Sequence, residues 1–440
     1  MYVLDYKIPK YMVPLRDQLD TDFWYEYGSK IYPNVRPTSR TKTTNAISAL
    51  TYNLVAHLAF DLKEVSVTLD QHDYSLPLIY NGKIVNRRVS YSHTIQVLTW
   101  LNQTGRVTLH KGFVEDWGLN AHGKMAPVKT QRSYIELSDE FVDLITPFAD
   151  KRRLPTLENV IEMKDKDKNI IEKELGVYQE YVIGVLKQSN KLYRKVNITV
   201  NGKEVDVQLK KVYNNDSWDE GGRDYLVGPG IAEGLMWKQN RPSIKIEGEE
   251  TVEIDYCALH PRMAAELSGV ELGEDFDPYH IDVVGYTPHG LRTLCKLLLI
   301  VCLNAGYAPL ARPGSKGSAE NAIKAARYEL YRNGMLQGMI DNGDVPNNIL
   351  YRDILQKLGL RNYYLIDWLI NPRGMKLQNL DSQMMDIILD RFNRIGEVVI
   401  PFHDSIVVKK QLTEFGKDVM MEAYKAVIGS NVNCVLKVKG

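Results

Sequence analysis

The sequence predicts an α+β fold for this chain of 440 residues, on two kinds of observation. Apolar β-branched runs broken by short polar turns read as antiparallel hairpins. The clearest is Val398-Val399-Ile400-Pro401-Phe402, the break His403-Asp404-Ser405, and Ile406-Val407-Val408. Other stretches repeat apolar residues with helical period, among them Ile47, Leu50, Leu54, Val55 and Leu58. A composition 44% hydrophobic and 25% charged, with 18 prolines and 31 glycines, suits a globular chain of two or three domains with a substantial core.

In chain order, residues 1–45 are irregular and turn basic, with Lys30, Arg36, Arg40 and Lys42 among Pro, Ser and Thr. A helix is expected over 46–60 and a second over 92–102, where Ile95, Val97, Leu98 and Leu101 recur. The second stops at Thr104-Gly105, before the strand-like Arg106-Val107-Thr108-Leu109. Helix, glycine turn and short strand are the parts of a winged-helix DNA-binding module, an order that ordinary α+β segments share. Residues 1–150 are therefore read as a mainly helical N-terminal region, with DNA binding and a plain structural role both open. Residues 156–190 read as long polar helices, the mixed-sign run 162–168 being a solvated face. The stretch 151–215 is accordingly expected as a helical thumb-like or connecting region. Inside it, 196–200, Asn201-Gly202 and 205–209 read as a hairpin, because Asn-Gly favours tight turns. After about residue 215 the acids, bases and glycines become sharply placed, and 216–440 is read as one unit.

Formal net charge is zero, so any polyanion must be held by local patches. Cys257, Cys295, Cys302 and Cys434 show neither CxxC pairing nor zinc spacing and read as reduced thiols. The opening MYVLDYKIPKYM lacks the basic-then-apolar order of a signal peptide, and the apolar run 297–303 falls far short of the roughly 20 residues of a membrane span. A cytoplasmic, intracellular protein with no membrane partner is expected; oligomeric state stays open.

Asp404 stands at a hairpin tip, and a second acid ends another apolar strand: 251–254 leads into Asp255, and Pro261 with Arg262 opens a helix. Either acid alone reads as a turn cap. Together, on neighbouring strands, they suit Mg²⁺, which takes one or two carboxylates plus substrate phosphates. A pair of such ions about 3.5–4 Å apart clamps both oxygens of a phosphoryl displacement. Between the acids, GLRTLCKLLLIVCLNAG sets Arg292 and Lys296 four apart on one helical face, which alone reads as an exposed basic pair on an amphipathic helix.

These segments resemble family-A DNA polymerases and the phage-type single-subunit RNA polymerases. DYCALHPR at 255–262 is similar to the first catalytic motif of the DNA enzymes, DYSxIExR, with Asp255, Tyr256 and Arg262 at matching positions. HDS at 403–405 resembles the third motif, His-Asp-Glu in the DNA enzymes and His-Asp-Ser in the RNA enzymes. Arg292 and Lys296 match the R-x₃-K of the second motif, and DEGGRDY at 219–225 resembles the DxxGRxY element of the RNA enzymes. FDPYHIDVVG at 276–285 stands where the family carries a His ahead of the fingers.

The resemblance covers about 215–440 and implies a right-hand polymerase, with an antiparallel palm sheet and helical fingers. It implies two Mg²⁺ ions, with Mn²⁺ as a substitute, on Asp255, Asp404 and the backbone carbonyl of Tyr256. It further implies nucleotide contacts from Arg292, Lys296, His260, Asn304 and Tyr256, and nucleic-acid contacts from Arg223, Arg262 and His403. The implied partners are template and primer nucleic acid and nucleoside triphosphates. The N-terminal half carries no exonuclease-like acid set, so no proofreading is inferred.

Two positions depart from the family: His260 replaces a Glu that helps exclude the ribose 2′-OH, and Asn304-Ala305 replace Tyr-Gly. Preference for dNTPs or NTPs is therefore open. The expected function is template-directed nucleotidyl transfer by a small DNA polymerase extending a 3′-OH in DNA replication. A single-subunit RNA polymerase or primase-polymerase is the alternative, and a non-catalytic DNA-binding replication initiator a third reading. Such economy suits a phage or other mobile element.

Overall fold

Two apolar cores organise the chain, one gathering Met12 to Leu154 and the other Val160 to Tyr424. The structure, a computed structural model, describes residues 8–31, 36–71, 74, 78–80, 83–85, 89–119, 125–231, 234, 236–305, 323–324, 326–328, 330, 335–371 and 373–439. Residues 1–7, part of the stretch read above for a leader pattern, lie outside the described residues.

The first core is built by α1 (Val13–Phe23), α2 (Pro37–Leu58), β1 (Glu64–Ser66), α3 (Tyr91–Gln103), β2 (Val107–His110), a hairpin of β3 (Phe113–Leu119) with β4 (Met125–Gln131), β5 (Tyr134–Leu137) and α4 (Asp139–Ile145). Helix α2 starts nine residues earlier than its apolar period, because Pro37 at the first helical position presets φ after the extended Arg36. From Ala46 to His57 it is buried all round. Its polar side chains turn back on the helix: Thr51 donates to Ile47 O at 2.8 Å and Asn53 to Ala49 O at 2.7 Å. A three-stranded antiparallel sheet runs in the order β1-β5-β2.

The second core begins with β6 (Ile161–Lys164), β7 (Ile170–Ile171), α5 (Val177–Tyr193), β8 (Ile198–Val200), β9 (Lys203–Glu204), β10 (Gln208–Asn214) and β11 (Ser217–Val227). The polar helix expected from 156 is a strand pair up to 171, and helix begins only at Val177. The charges of that run are used between strands, since Glu162 pairs with both Lys210 and Lys164. Asn201 and Gly202 form the expected left-handed turn, with φ of 52° and 76°. The strand after it is only β9, however, and β10 departs to a second sheet ordered β11-β10-β6-β7. In that sheet β10 and β6 are parallel. Position 215, where the sequence texture changes, is the turn of the β10–β11 hairpin, and the core continues across it.

The elements that follow include β12 (Lys245–Ile246), β13 (Glu249–Tyr256), α6 (Leu259–Leu267), α7 (Pro288–Ala305), α8 (Tyr351–Arg361), α9 (Gly374–Ile395), β14 (Ile400–Phe402), β15 (Ser405–Lys409), α10 (Thr413–Ile428) and β16 (Leu436–Lys439). They complete an antiparallel seven-stranded sheet ordered β9-β8-β12-β13-β15-β14, with β16 paired to β13. Helix α9 packs against β11, α10, α5 and α6 and ties the two sheets together. The fold is α+β. Among the described residues, no helix is long and apolar enough to cross a membrane.

Candidate active site

Strand register brings the two acids together. Asp255 lies opposite Ser405 on β15, and the Tyr256 amide donates to Asp404 O at 3.1 Å. Side chains alternate along β13. Val252, Ile254 and Tyr256 are buried, with Ile254 against Gly416 of α10, and Thr251, Glu253 and Asp255 form the more exposed set. Asp404 occupies the two-residue turn between β14 and β15. Burial first, then the negative charges of Asp255 and Asp381, raise its pKa above the usual carboxylate range, with Lys296 opposing.

Asp381, which the motifs did not single out, is the third acid of this cluster. It is 4% exposed on α9, and its Oδ2 lies 3.4 Å from both Arg223 Nη2 and His260 Nε2. Leu377, Asp381, Met384, Ile388 and Phe392 recur at helical spacing on the buried face of α9, so an acid in a core register was the available signal.

Both acid motifs hold a non-glycine residue in the left-handed region. His403 has φ 61°, and Ala258, capping α6, has φ 49° and ψ 46°. Conformations of this kind cost on the order of 1–2 kcal/mol and cluster where surroundings enforce them. Ala258→Gly is therefore expected to stabilise the fold by roughly 0.5–1 kcal/mol, the left-handed cost less the unfolded-state entropy that glycine adds. Urea unfolding measures this; an unchanged or lower midpoint would remove the strain at Ala258.

His403 reaches solvent in a region dense with protein, and burial, then the Arg223 guanidinium, lowers its pKa. Its ring meets Tyr225 edge-on at 6.4 Å, and Arg241 lies over the neighbouring Phe402 ring at 3.9 Å.

On α7, Arg292, Lys296, Ile300 and Asn304 form one exposed stripe at four-residue spacing. Lys296 acts on Asp404 electrostatically and so overlooks the acids. Arg292 is already engaged, its Nε 2.6 Å from Asp277 Oδ2 and its guanidinium over Tyr279 at 5.3 Å. Asn304 donates to Ile300 O at 2.8 Å and lies beside Gly374, where a Cβ would sit 2.3 Å from its Oδ1. His280 is exposed, 4.0 Å from Asp282.

Two expected contacts are redirected. The Tyr256 ring is 4% exposed and its hydroxyl donates to Met420 O at 2.5 Å, so alternation points it away from Asp255 and leaves only its main chain for the site. Arg262 is 2% exposed and donates to the carbonyls of Gly273, Glu274 and Phe276 at 3.1, 2.8 and 2.8 Å. It clamps the loop after α6 and presents nothing to a nucleic acid.

Arg223 rests on a buried charge cluster. Gly221 and Gly222, at φ 76° and 80°, interrupt the β10–β11 register, and a Cβ on Gly222 would meet Tyr213 at 2.8 Å. Lys211, with no exposed surface, donates to Gly222 O at 2.8 Å and Ser382 Oγ at 2.6 Å. It also pairs with Asp224 at 3.1 Å and Asp386 at 2.9 Å. Burial alone would lower the Lys211 pKa, but the two carboxylates outweigh it and raise it.

Lys439 of β16 places its Nζ 2.6 Å from Asp255 Oδ2 and 3.4 Å from Glu253 Oε1. Among the described residues, no group of three or more His, Cys, Asp and Glu is disposed to hold a metal by itself. The donor set is two carboxylates with a third acid behind them, which fits a hard cation that also binds substrate oxygens.

No family model matches this chain, and no curated protein matches it. The POL domain of Pol1 from M. smegmatis, solved in complex with DNA primer-template and dNTP, is similar at TM-score 0.29 and 10% sequence identity, over 97% of this chain and 65% of that chain. This chain thus spans 65% of the length of that structure. Likeness at that level decides neither fold nor family.

Proposed function

We propose that this chain is a template-directed nucleotidyltransferase with a right-hand polymerase core, most simply a small DNA polymerase. The observation that carries the reading is the β13–β15 register, which sets Asp255 beside Asp404 under the cationic stripe of α7. Asp255 and Asp404, with the Tyr256 main-chain carbonyl, would hold Mg²⁺, or Mn²⁺ in its place; the cation would supply charge neutralisation as a 3′-OH, losing its proton to water, attacks an α-phosphate and the bond to the departing pyrophosphate breaks. Lys296 binds the triphosphate. Arg292 joins it by exchanging Asp277 for phosphate. Arg223, His403 and Tyr225 contact the primer strand near its end, with Asp381 holding the Arg223 guanidinium and the His260 ring in place. Positioning and electrostatics supply the rate, with no side-chain nucleophile.

Lys296→Ala is expected to raise the nucleotide KM by about 10–100-fold, the scale of one charged hydrogen bond, with template Kd nearly unchanged. A collapse of template binding instead would make α7 a nucleic-acid surface. The function itself is tested by primer extension in Mg²⁺ with dNTPs, with NTPs, and without primer. Extension with dNTPs is expected. Extension with NTPs alone, or synthesis without primer, would move the assignment to an RNA polymerase or primase. No incorporation in any arm would overturn nucleotidyl transfer.

A further inference from the structure

Helix α3 presents an outward stripe of uncharged hydrogen-bonding side chains that the polymerase reading does not use. Ser92 and Gln103 are exposed and Gln96 and Thr99 half-buried; the four follow one another at helical spacing, opposite the buried Val97, Leu98, Trp100 and Leu101, and the Thr99 hydroxyl donates to Ile95 O at 2.8 Å while its lone pairs stay outward. All 13 residues of α3 lack a charge. In chain order the surroundings are α2, β1, a strand pair Leu78–Tyr80 with Lys83–Val85, α3, β2, the β3–β4 hairpin and β5, with β5 between β1 and β2. The β3–β4 hairpin continues the β2–β5 pair outward, past the stacked rings of His110 and Tyr134, 4.4 Å apart. At the start of α2, Arg36, Arg40 and Lys42 are exposed, and the Lys42 charge, after burial, helps lower the pKa of His93 at the start of α3.

We propose that residues 37–137 form a winged-helix reader of duplex DNA, with α3 in the major groove and α2's basic turn on the flanking phosphates. Amides and hydroxyls on a helix distinguish base edges in the major groove, Gln pairing with adenine, whereas cations on the rim bind any sequence. The β3–β4 hairpin would lie along the adjoining backbone, as a wing does. Duplex RNA is not the occupant, because its deep, narrow major groove excludes a helix. The consequence is a second function, sequence-directed loading of the chain onto a particular duplex site. It does not depend on the assignment of nucleotidyl transfer.

The test is selection of a randomised 30-base-pair DNA pool by the full chain, followed by anisotropy on the enriched duplex, on its scrambled version and on the same sequence as duplex RNA. Wild type is expected to enrich one motif and to prefer it at least tenfold over the other two. Gln96→Ala and Thr99→Ala should each lose about tenfold on the motif alone, keep the scrambled affinity, and leave extension of a generic primer-template unchanged. Lys42→Ala should weaken both DNA duplexes alike and reduce the salt slope by about one. The retained scrambled affinity shows that each variant is folded. No enrichment, equal binding of duplex RNA, or enrichment untouched by both α3 variants would overturn the proposal.

Discussion

Asp404→Ala is expected to reduce nucleotide incorporation by at least about a thousandfold, the scale of losing a group that stabilises transition-state charge, while the protein stays folded. Burial and the neighbouring Asp255 and Asp381 raise the Asp404 pKa, so its ionised form is held against repulsion in the native state. Removing it relieves that repulsion. The unfolding midpoint should therefore hold or rise, which separates a site defect from a folding defect. Protons and the cation compete for this carboxylate, so activity of the wild type at subsaturating Mg²⁺ should rise with pH and fall as Asp404 protonates, and added Mg²⁺ should move the inflection to lower pH. Single-turnover extension measures both effects. Residual activity within tenfold of wild type would detach Asp404 from the chemistry.

Lys211→Met should cost about 3–5 kcal/mol of stability, the range for stranding one side of a buried ion pair. Asp224 and Asp386 would then face each other in the core, where among the described residues Tyr178 is the donor left to Asp386, at 2.9 Å. Burial already pushes Asp224 up to about 7, against roughly 3.9 in an unfolded chain. Loss of Lys211 raises both acids further, so the native state binds more protons than the unfolded state across that window. Stability of the variant must then increase as pH falls from 8 toward 5 and be lost as pH rises. Urea unfolding at the two pH values reads this. The Gly222 carbonyl also loses one of its two donors, Lys211, and keeps Ser382, so Arg223 should loosen and primer-template affinity fall. A variant as stable as wild type, or one indifferent to pH, would contradict the cluster's role.

Much of this was legible, and the failures have physical causes. Asp255 and Asp404 stood out because each ends an apolar strand, and only the β13–β15 register was needed to join them. The period-two rule already placed Tyr256 opposite Asp255, a signal that the motif match overrode. Arg262 is buried because α6 is covered almost all round, with Leu259, Pro261, Met263, Ala264 and Ala265 buried beside it; a motif specifies residue identity but not burial. Lys211 alternates with Leu209 and Tyr213 on the core side of β10, so its burial was readable without any motif. The strands at 161–171 were not readable, because their charges pair across strands that are distant in sequence. Asp381 was readable as an acid in the core register of α9, but its place beside the other two acids depends on partners from two other elements, which no single stretch carries.

The most direct measurement is Mn²⁺ titration followed by electron paramagnetic resonance, with primer-template bound and no nucleotide, for wild type, Asp255→Asn, Asp404→Asn and the double variant. Saturable binding in wild type, weakened at least tenfold in each single variant and absent in the double, is the predicted result. Equal Mn²⁺ affinity in all four proteins would contradict the joining of Asp255 and Asp404 into one cation site.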